Sequence, residues 1–151
     1  KRGYRPVLLT DCLSCQAKEA GSFLASVAKT QIAQSCPPTA VIAGGETVVK
    51  LTGKGLGGRC QELALAAAEG LFGLPALLLA AGSDGTDGPT DAAGGFADGR
   101  TAGLLGEKNL RVPEVLEEND AYHALDSLGN LLRTGPTGTN VNDLYLLLLR
   151  P

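Results

Sequence analysis

Short apolar runs, each meeting a cluster of polar residues at one end, restrict the fold of this chain more than any other feature. Arg5-Pro-Val-Leu-Leu-Thr10 precedes Asp11, Ala40-Val-Ile-Ala43 stops at Gly44-Gly45-Glu46, Leu77 to Ala81 runs into Ser83-Asp84, and Leu144 to Leu149 follows Asp143. Runs of this length beside turn-forming residues predict buried strands. Thr47-Val-Val-Lys-Leu-Thr52, rich in β-branched residues, predicts another, and Leu131-Leu132-Arg133 a brief one. Helical stretches lie between them. Residues 16 to 34 are rich in Ala, Lys, Gln and Leu and end at Cys36-Pro-Pro. Arg59 to Phe72 is apolar on most sides, and residues 98 to 128 read as helical pieces broken at Gly106 and Pro113. Strands alternating with helices predict an α/β fold, a layered domain with a mixed β-sheet flanked by helices. In open sheets ligands sit beyond the carboxyl ends of strands, so the polar clusters are expected to converge.

Composition narrows the function classes. The chain has 151 residues, 44% of them apolar, with no Met or Trp, so its core is built from Leu, Ala and Val. A domain of that size buries roughly 70% of its unfolded surface. A net charge of −3 offers no nucleic-acid face, and no apolar run is long enough to cross a membrane. No leader pattern is visible. The first residue is Lys1 rather than Met, which suits a fragment of a longer polypeptide. Cys12, Cys15, Cys36 and Cys60 form no disulfide ladder, so a reducing, cytoplasmic setting is expected.

Three loops carry candidate chemistry. Gly53-Lys54-Gly55-Leu56-Gly57-Gly58 opens the helix that starts at Arg59. Glycines let backbone N–H groups approach an anion, and a cation in the first helical turn opposes the helix dipole unless it meets an anion or a carboxylate. A phosphate or carboxylate site follows, with Arg59 paired to Glu62 as the structural alternative. Gly53, Gly55 and Gly58 also satisfy G-x-G-x-x-G after an expected strand, but the acidic residue about 20 positions on is missing. The second loop, Ala80 to Gly95, holds Asp84, Asp87 and Asp91. Its spacing is not that of an EF-hand, but carboxylates beside an anion site suit a Mg²⁺ ion bridging protein and phosphate. The alternative is turn formation and helix capping, for which Asp91 is the best candidate. The third, Thr134-Gly-Pro-Thr137-Gly138-Thr139-Asn140, offers N–H groups and hydroxyls to a multi-oxygen anion. Cys12-x-x-Cys15 lacks the context of a redox motif, and His123, the sole histidine, reads as a surface residue. Ala-Gly-Ser-Asp-Gly lacks the first glycine of a nucleophile elbow.

Four segments, AGGETVVKLTGKGLGGRCQELALA, AAGSDGTDGPTDAAGG, ENDAYHALDSLGNLL and TGPTGTNVNDL, together resemble the C-terminal, MOFRL-type domain of type II glycerate kinases, a family also described as hydroxypyruvate reductases. The resemblance implies ATP-dependent phosphorylation of D-glycerate with Mg²⁺. It implies residues 37–151 as the MOFRL-type domain, residues 1–36 as the end of what precedes it, and an absent N-terminal domain completing the cleft. On this reading Arg59 and Asp84 are catalytic, and Asp84, Asp87 and Asp91 hold the metal. Glu46, Lys54, Gly55, Gly57, Gly58, Glu62, Thr137, Gly138, Thr139 and Asn140 bind substrate or nucleotide. Cys60 stands where the family usually has Asn, and Ala121 where it usually has Ser. The alternatives are an NAD(P)-dependent hydroxypyruvate reductase and a non-catalytic lid.

Overall fold

A computed structural model describes residues 3–35 and 37–150. The elements run β1 (Arg5–Leu13), α1 (Ala17–Ala33), β2 (Thr39–Gly45), α2 (Arg59–Leu71), β3 (Ala76–Gly82), β4 (Gly94–Asp98), α3 (Thr101–Glu107), α4 (Val112–Glu117), α5 (Ala121–Asp126), β5 (Leu131–Leu132) and β6 (Asp143–Leu149). Cys36, expected at the end of the first helix, lies outside the described residues. Pro113 sits in the first turn of α4 and so starts a helix, where its missing N–H costs nothing, rather than breaking one.

The strands form one mixed sheet in the order β1-β2-β6-β3-β4-β5. β1 and β2 pair in parallel, and every other neighbouring pair is antiparallel. β1, part of the segment set apart by sequence as 1–36, is thus an edge strand of the same sheet, and α1 belongs to the core that α2 also builds. No helix among the described residues is long and apolar enough to cross a membrane.

Two expectations fail. Residues 47–52 form no strand. Their backbone instead pairs with the β1–α1 turn: Val48 N–H donates to Cys15 O at 3.0 Å, and Ala17 N–H to Val48 O at 2.9 Å. β-branched residues favour a strand only where a neighbouring strand offers a pleated surface, and here none does. Conversely, β4 begins inside what the sequence presents as loop, because Gly94-Gly95 disguises it. Position 95 is small because Leu125 of α5 presses directly on it.

Paired residues share a face of the sheet, so register assigns the two sides. Val41, Leu147 and Leu78 lie beneath α1 and α2, and Ala97 continues that row beneath the cluster that adds α3, α4 and α5. On the other side Leu8, Ile42, Leu146, Leu79 and Phe96 form an unbroken apolar row across five strands. None of the five is fully buried, and Leu8 is 70% exposed. The same register sets Gly45, Asp143 and Gly82 side by side. The ends of β2 and β3 and the start of β6 therefore meet at one rim.

Candidate active site

At this rim α2 begins, and its first residue reaches back over the sheet. Arg59 Nε donates to Asp143 Oδ2 at 2.6 Å and Nη2 to Asp143 Oδ1 at 3.0 Å, while Nη1 donates to Glu46 Oε1 at 2.9 Å. The carboxylates differ: the Asp143 side chain is 1% exposed and that of Glu46 59%. The hydrogen bond to Asp143 pushes the Arg59 pKa further up, so its charge is permanent. Pairing within the helix to Glu62 does not occur, because Glu62 meets the Asn119 amide at 3.3 Å.

The anion at the start of α2 is the protein's own. Asp87, buried, accepts from Cys60 N–H at 3.0 Å and Gln61 N–H at 2.8 Å, one on each oxygen. This loop carboxylate does the work of a cap on a helix whose N-cap residue is Gly58. Gly58 leaves room for it, since a Cβ there would strike the Asp87 carboxyl. Burial pushes the Asp87 pKa up against these N–H bonds. Capping therefore falls to Asp87 and not to Asp91, which accepts from Tyr122 Oη at 2.8 Å and Arg133 Nε at 2.9 Å. Asp84 closes a turn, its Oδ1 accepting from Thr86 N–H at 2.9 Å, and that bond holds its pKa below the ordinary range. The three aspartates thus serve three different partners, and no group of three His, Cys, Asp or Glu among the described residues could hold a metal ion.

The glycine loop is also committed to protein contacts. A Cβ on Gly53 would collide with Glu118, and one on Gly55 with Glu118 and Asp120. Gly53 N–H donates to Asn119 Oδ1 at 2.8 Å, Gly55 N–H to Glu118 O at 2.7 Å, and Leu56 N–H to Asp120 Oδ1 at 2.9 Å. Among the described residues the N–H groups of Gly57 and Gly58 meet no protein acceptor. The dinucleotide fingerprint therefore lacks both its strand and the freedom of two of its glycines.

Asn119, which sequence reasoning missed, stitches this region together. Its amide binds Lys50 O at 3.1 Å as well as Glu62, and its φ of 56° is a left-handed conformation that asparagine tolerates. Burial holds the Glu62 carboxyl above its ordinary 4.5, against the Asn119 amide. A carboxyl raised in the fold adds stability below its ordinary pKa, and that contribution is lost as pH climbs through the raised value. Glu62→Gln is expected to shrink the gain in urea midpoint between pH 7 and about pH 4.5. An unchanged gain would show that Glu62 titrates normally.

A cavity of about 1110 Å³ opens here. Glu46, Gly55, Gly57, Gly58, Arg59, Glu62, Asp84 and Asp87 line it, with Asn119 and Thr86. Lys54 does not. Nor do Thr137, Gly138, Thr139 and Asn140, which border it only through the aspartate loop: Thr137 N–H donates to Asp84 O at 3.1 Å and Val141 N–H to Ser83 Oγ at 2.7 Å. Cys60 packs into the helix–sheet core, where burial pushes its thiol pKa up, and it does not line the cavity. Ala121 does line the cavity. His123 is exposed on α5, beside Asp120.

Known proteins share this fold. The chain is 50% identical over 153 residues to the D-glycerate 2-kinase of Thermotoga maritima, matching 99% of this chain and 37% of that protein. It is 45% identical to a glycerate 2-kinase of Pyrococcus horikoshii, over 97% of this chain and 34% of the relative. A putative hydroxypyruvate reductase of Agrobacterium vitis is 35% identical over 97% of the chain and 40% of its own length. The crystal structure of a glycerate kinase from Thermotoga maritima superposes with a TM-score of 0.95 over 98% of this chain and 37% of that one. The chain thus spans little more than a third of the length of these relatives. The family model described as MOFRL matches residues 39–143, from the first residue of β2 to the carboxylate that grips Arg59, and the chain belongs to that family.

Proposed function

We propose that the chain is the C-terminal part of a kinase that transfers a phosphoryl group from ATP to D-glycerate, giving 2-phosphoglycerate. One observation carries this reading: Arg59 and the ionised Asp84 line a single cavity in a chain 50% identical to a D-glycerate 2-kinase. The permanent charge of Arg59 suits the glycerate carboxylate or a phosphate, and the free N–H groups of Gly57 and Gly58 extend the same anion-binding wall. Of the three loop aspartates, Asp84 fits a magnesium ion best. It is kept ionised by Thr86, and its Oδ2 receives no hydrogen bond among the described residues. Asp87 has both oxygens engaged by α2, and Asp91 is held by Arg133 and Tyr122. Magnesium, when bound with phosphates, would neutralise their charge. Thr137, with Val141 and Asn142, holds the Asp84 loop from outside, and Gly138, Thr139 and Asn140 remain proposed contacts to nucleotide or substrate.

The apolar row of Leu8, Ile42, Leu146, Leu79 and Phe96, none of them fully buried, supports a role within a longer polypeptide, whose remaining chain would complete the domain and the cleft. The free thiols of Cys12, Cys15 and Cys60 suit a reducing compartment such as the cytoplasm. The test uses the full-length polypeptide. With ATP, Mg²⁺ and D-glycerate it is expected to release ADP and 2-phosphoglycerate, and with NADH and hydroxypyruvate to leave the NADH unchanged. NADH oxidation without ADP release would reverse the assignment.

A further inference from the structure

Beneath the Arg59–Asp143 pair lies a second polar pair that the proposed chemistry has not used. Tyr145 is 1% exposed, the largest side chain in the fully buried set, yet its hydroxyl points at the rim. The Tyr145 hydroxyl donates to Asp143 Oδ2 at 3.1 Å, and Thr47 Oγ1, also buried, lies 3.4 Å from the phenol oxygen. The geometry follows from β6. Asp143 and Tyr145 are two residues apart in a strand and so share a face, and the segment carrying Thr47 crosses the rim beside them. Burial pushes the Tyr145 pKa up, so the phenol keeps its proton and serves Asp143 as a donor.

A guanidinium has five N–H groups in one rigid plane. Asp143 takes one on Nε and one on Nη2, and Glu46 takes one on Nη1. One N–H on Nη1 and one on Nη2 remain. Their direction is set by the plane of the group, and the plane by the buried carboxylate, because the exposed Glu46 side chain is a weak, solvent-screened partner.

We propose that Tyr145 is a positioning residue: it fixes the Asp143 carboxylate, Asp143 fixes the Arg59 plane, and the two remaining N–H groups are thereby aimed at the anionic group of the ligand. The inference rests on the kinase reading, in which Arg59 contacts a substrate. It assigns the Tyr145 hydroxyl a role distinct from the packing of its ring.

Tyr145→Phe keeps the ring and removes the hydroxyl. In the full-length polypeptide it is expected to raise KM about tenfold for whichever substrate Arg59 holds, glycerate or ATP, and to change the other less than twofold. The same substitution is then made in Arg59→Lys protein, where there is no planar fork to aim. Its further effect on KM is expected to stay below twofold there. Equal losses in both backgrounds would show that the hydroxyl acts on the fold and not through Arg59. No loss in either would show that Asp143 needs no help. Either result overturns the proposal while leaving the kinase reading intact. If Arg59→Lys and Arg59→Ala both retain full kinase turnover, Arg59 does not hold substrate and the positioning proposal falls with it, while the kinase reading stands; absence of ADP release by the wild-type polypeptide is what would overturn that reading.

Discussion

Arg59→Ala in the full-length polypeptide is expected to lower kcat/KM for ATP-dependent phosphorylation of glycerate by roughly 10²–10³-fold, the usual loss when one preorganised donor to a reacting anion is removed. The substitution has a second consequence. It leaves Asp143, buried at 4% exposure, without its cation, and an uncompensated buried carboxylate destabilises a fold. Lost activity alone would therefore be ambiguous. Arg59→Lys separates the two effects, because lysine retains a charge for Asp143 but carries no planar fork. It is expected to keep the wild-type urea midpoint within experimental error and to lose activity by an intermediate factor. Steady-state kinetics beside equilibrium unfolding provide the check. Full activity in both variants would remove Arg59 from the site.

The second large effect falls on stability. Asp87→Ala strips the acceptors from two N–H groups at the start of α2, those of the buried residues Cys60 and Gln61. Each orphaned buried donor costs about 1–3 kcal/mol, so the expected loss for the two is about 2–6 kcal/mol. Gln61 compounds it. Its Nε2 donates to Asp87 O at 3.1 Å and to Thr90 Oγ1 at 3.0 Å, while its Oε1 is buried with no partner among the described residues. A helix start already carrying one unpaired oxygen has little polar reserve. Asp87→Asn keeps one acceptor and removes the cost of a buried charge, so its loss should be about half as large. Urea unfolding of the full-length protein measures both. A metal ligand would behave differently: Asp87→Asn would then shift the Mg²⁺ dependence of turnover, whereas the cap assigns it no such shift. That shift is expected instead of Asp84→Asn.

Much of this architecture is legible in the residues. The strands at Arg5, Ala40, Leu77, Leu131 and Leu144, and the helices after Gln16 and at Arg59, follow from runs of apolar residues and the punctuation around them, which are local properties. Convergence of Glu46 and Asp84 on one rim also follows, because both stand just beyond the carboxyl ends of their strands; Asp143 joins them because β6 runs antiparallel to β2 and β3 and begins there. Local reasoning misleads where a residue's environment is distant. Thr47-Val-Val has strand chemistry but no strand to pair with, and Gly94-Gly95 has loop chemistry but lies in a strand beneath Leu125. The glycines at 53 and 55 look like a cradle for phosphate and are spaces for residues 118 to 120.

The amino-acid sequence alone determined most of the strands, the two long helices, the family, and the glycine and aspartate loops that line the cavity. Only the tertiary structure decided which charge meets which: Arg59 with Asp143, 84 residues away, and Asp87 with the start of α2, 26 and 27 residues away. A carboxylate carries no local mark of its future partner. Whether it caps a helix, grips an arginine or stays available for a ligand depends on which N–H groups folding brings within about 3 Å of it.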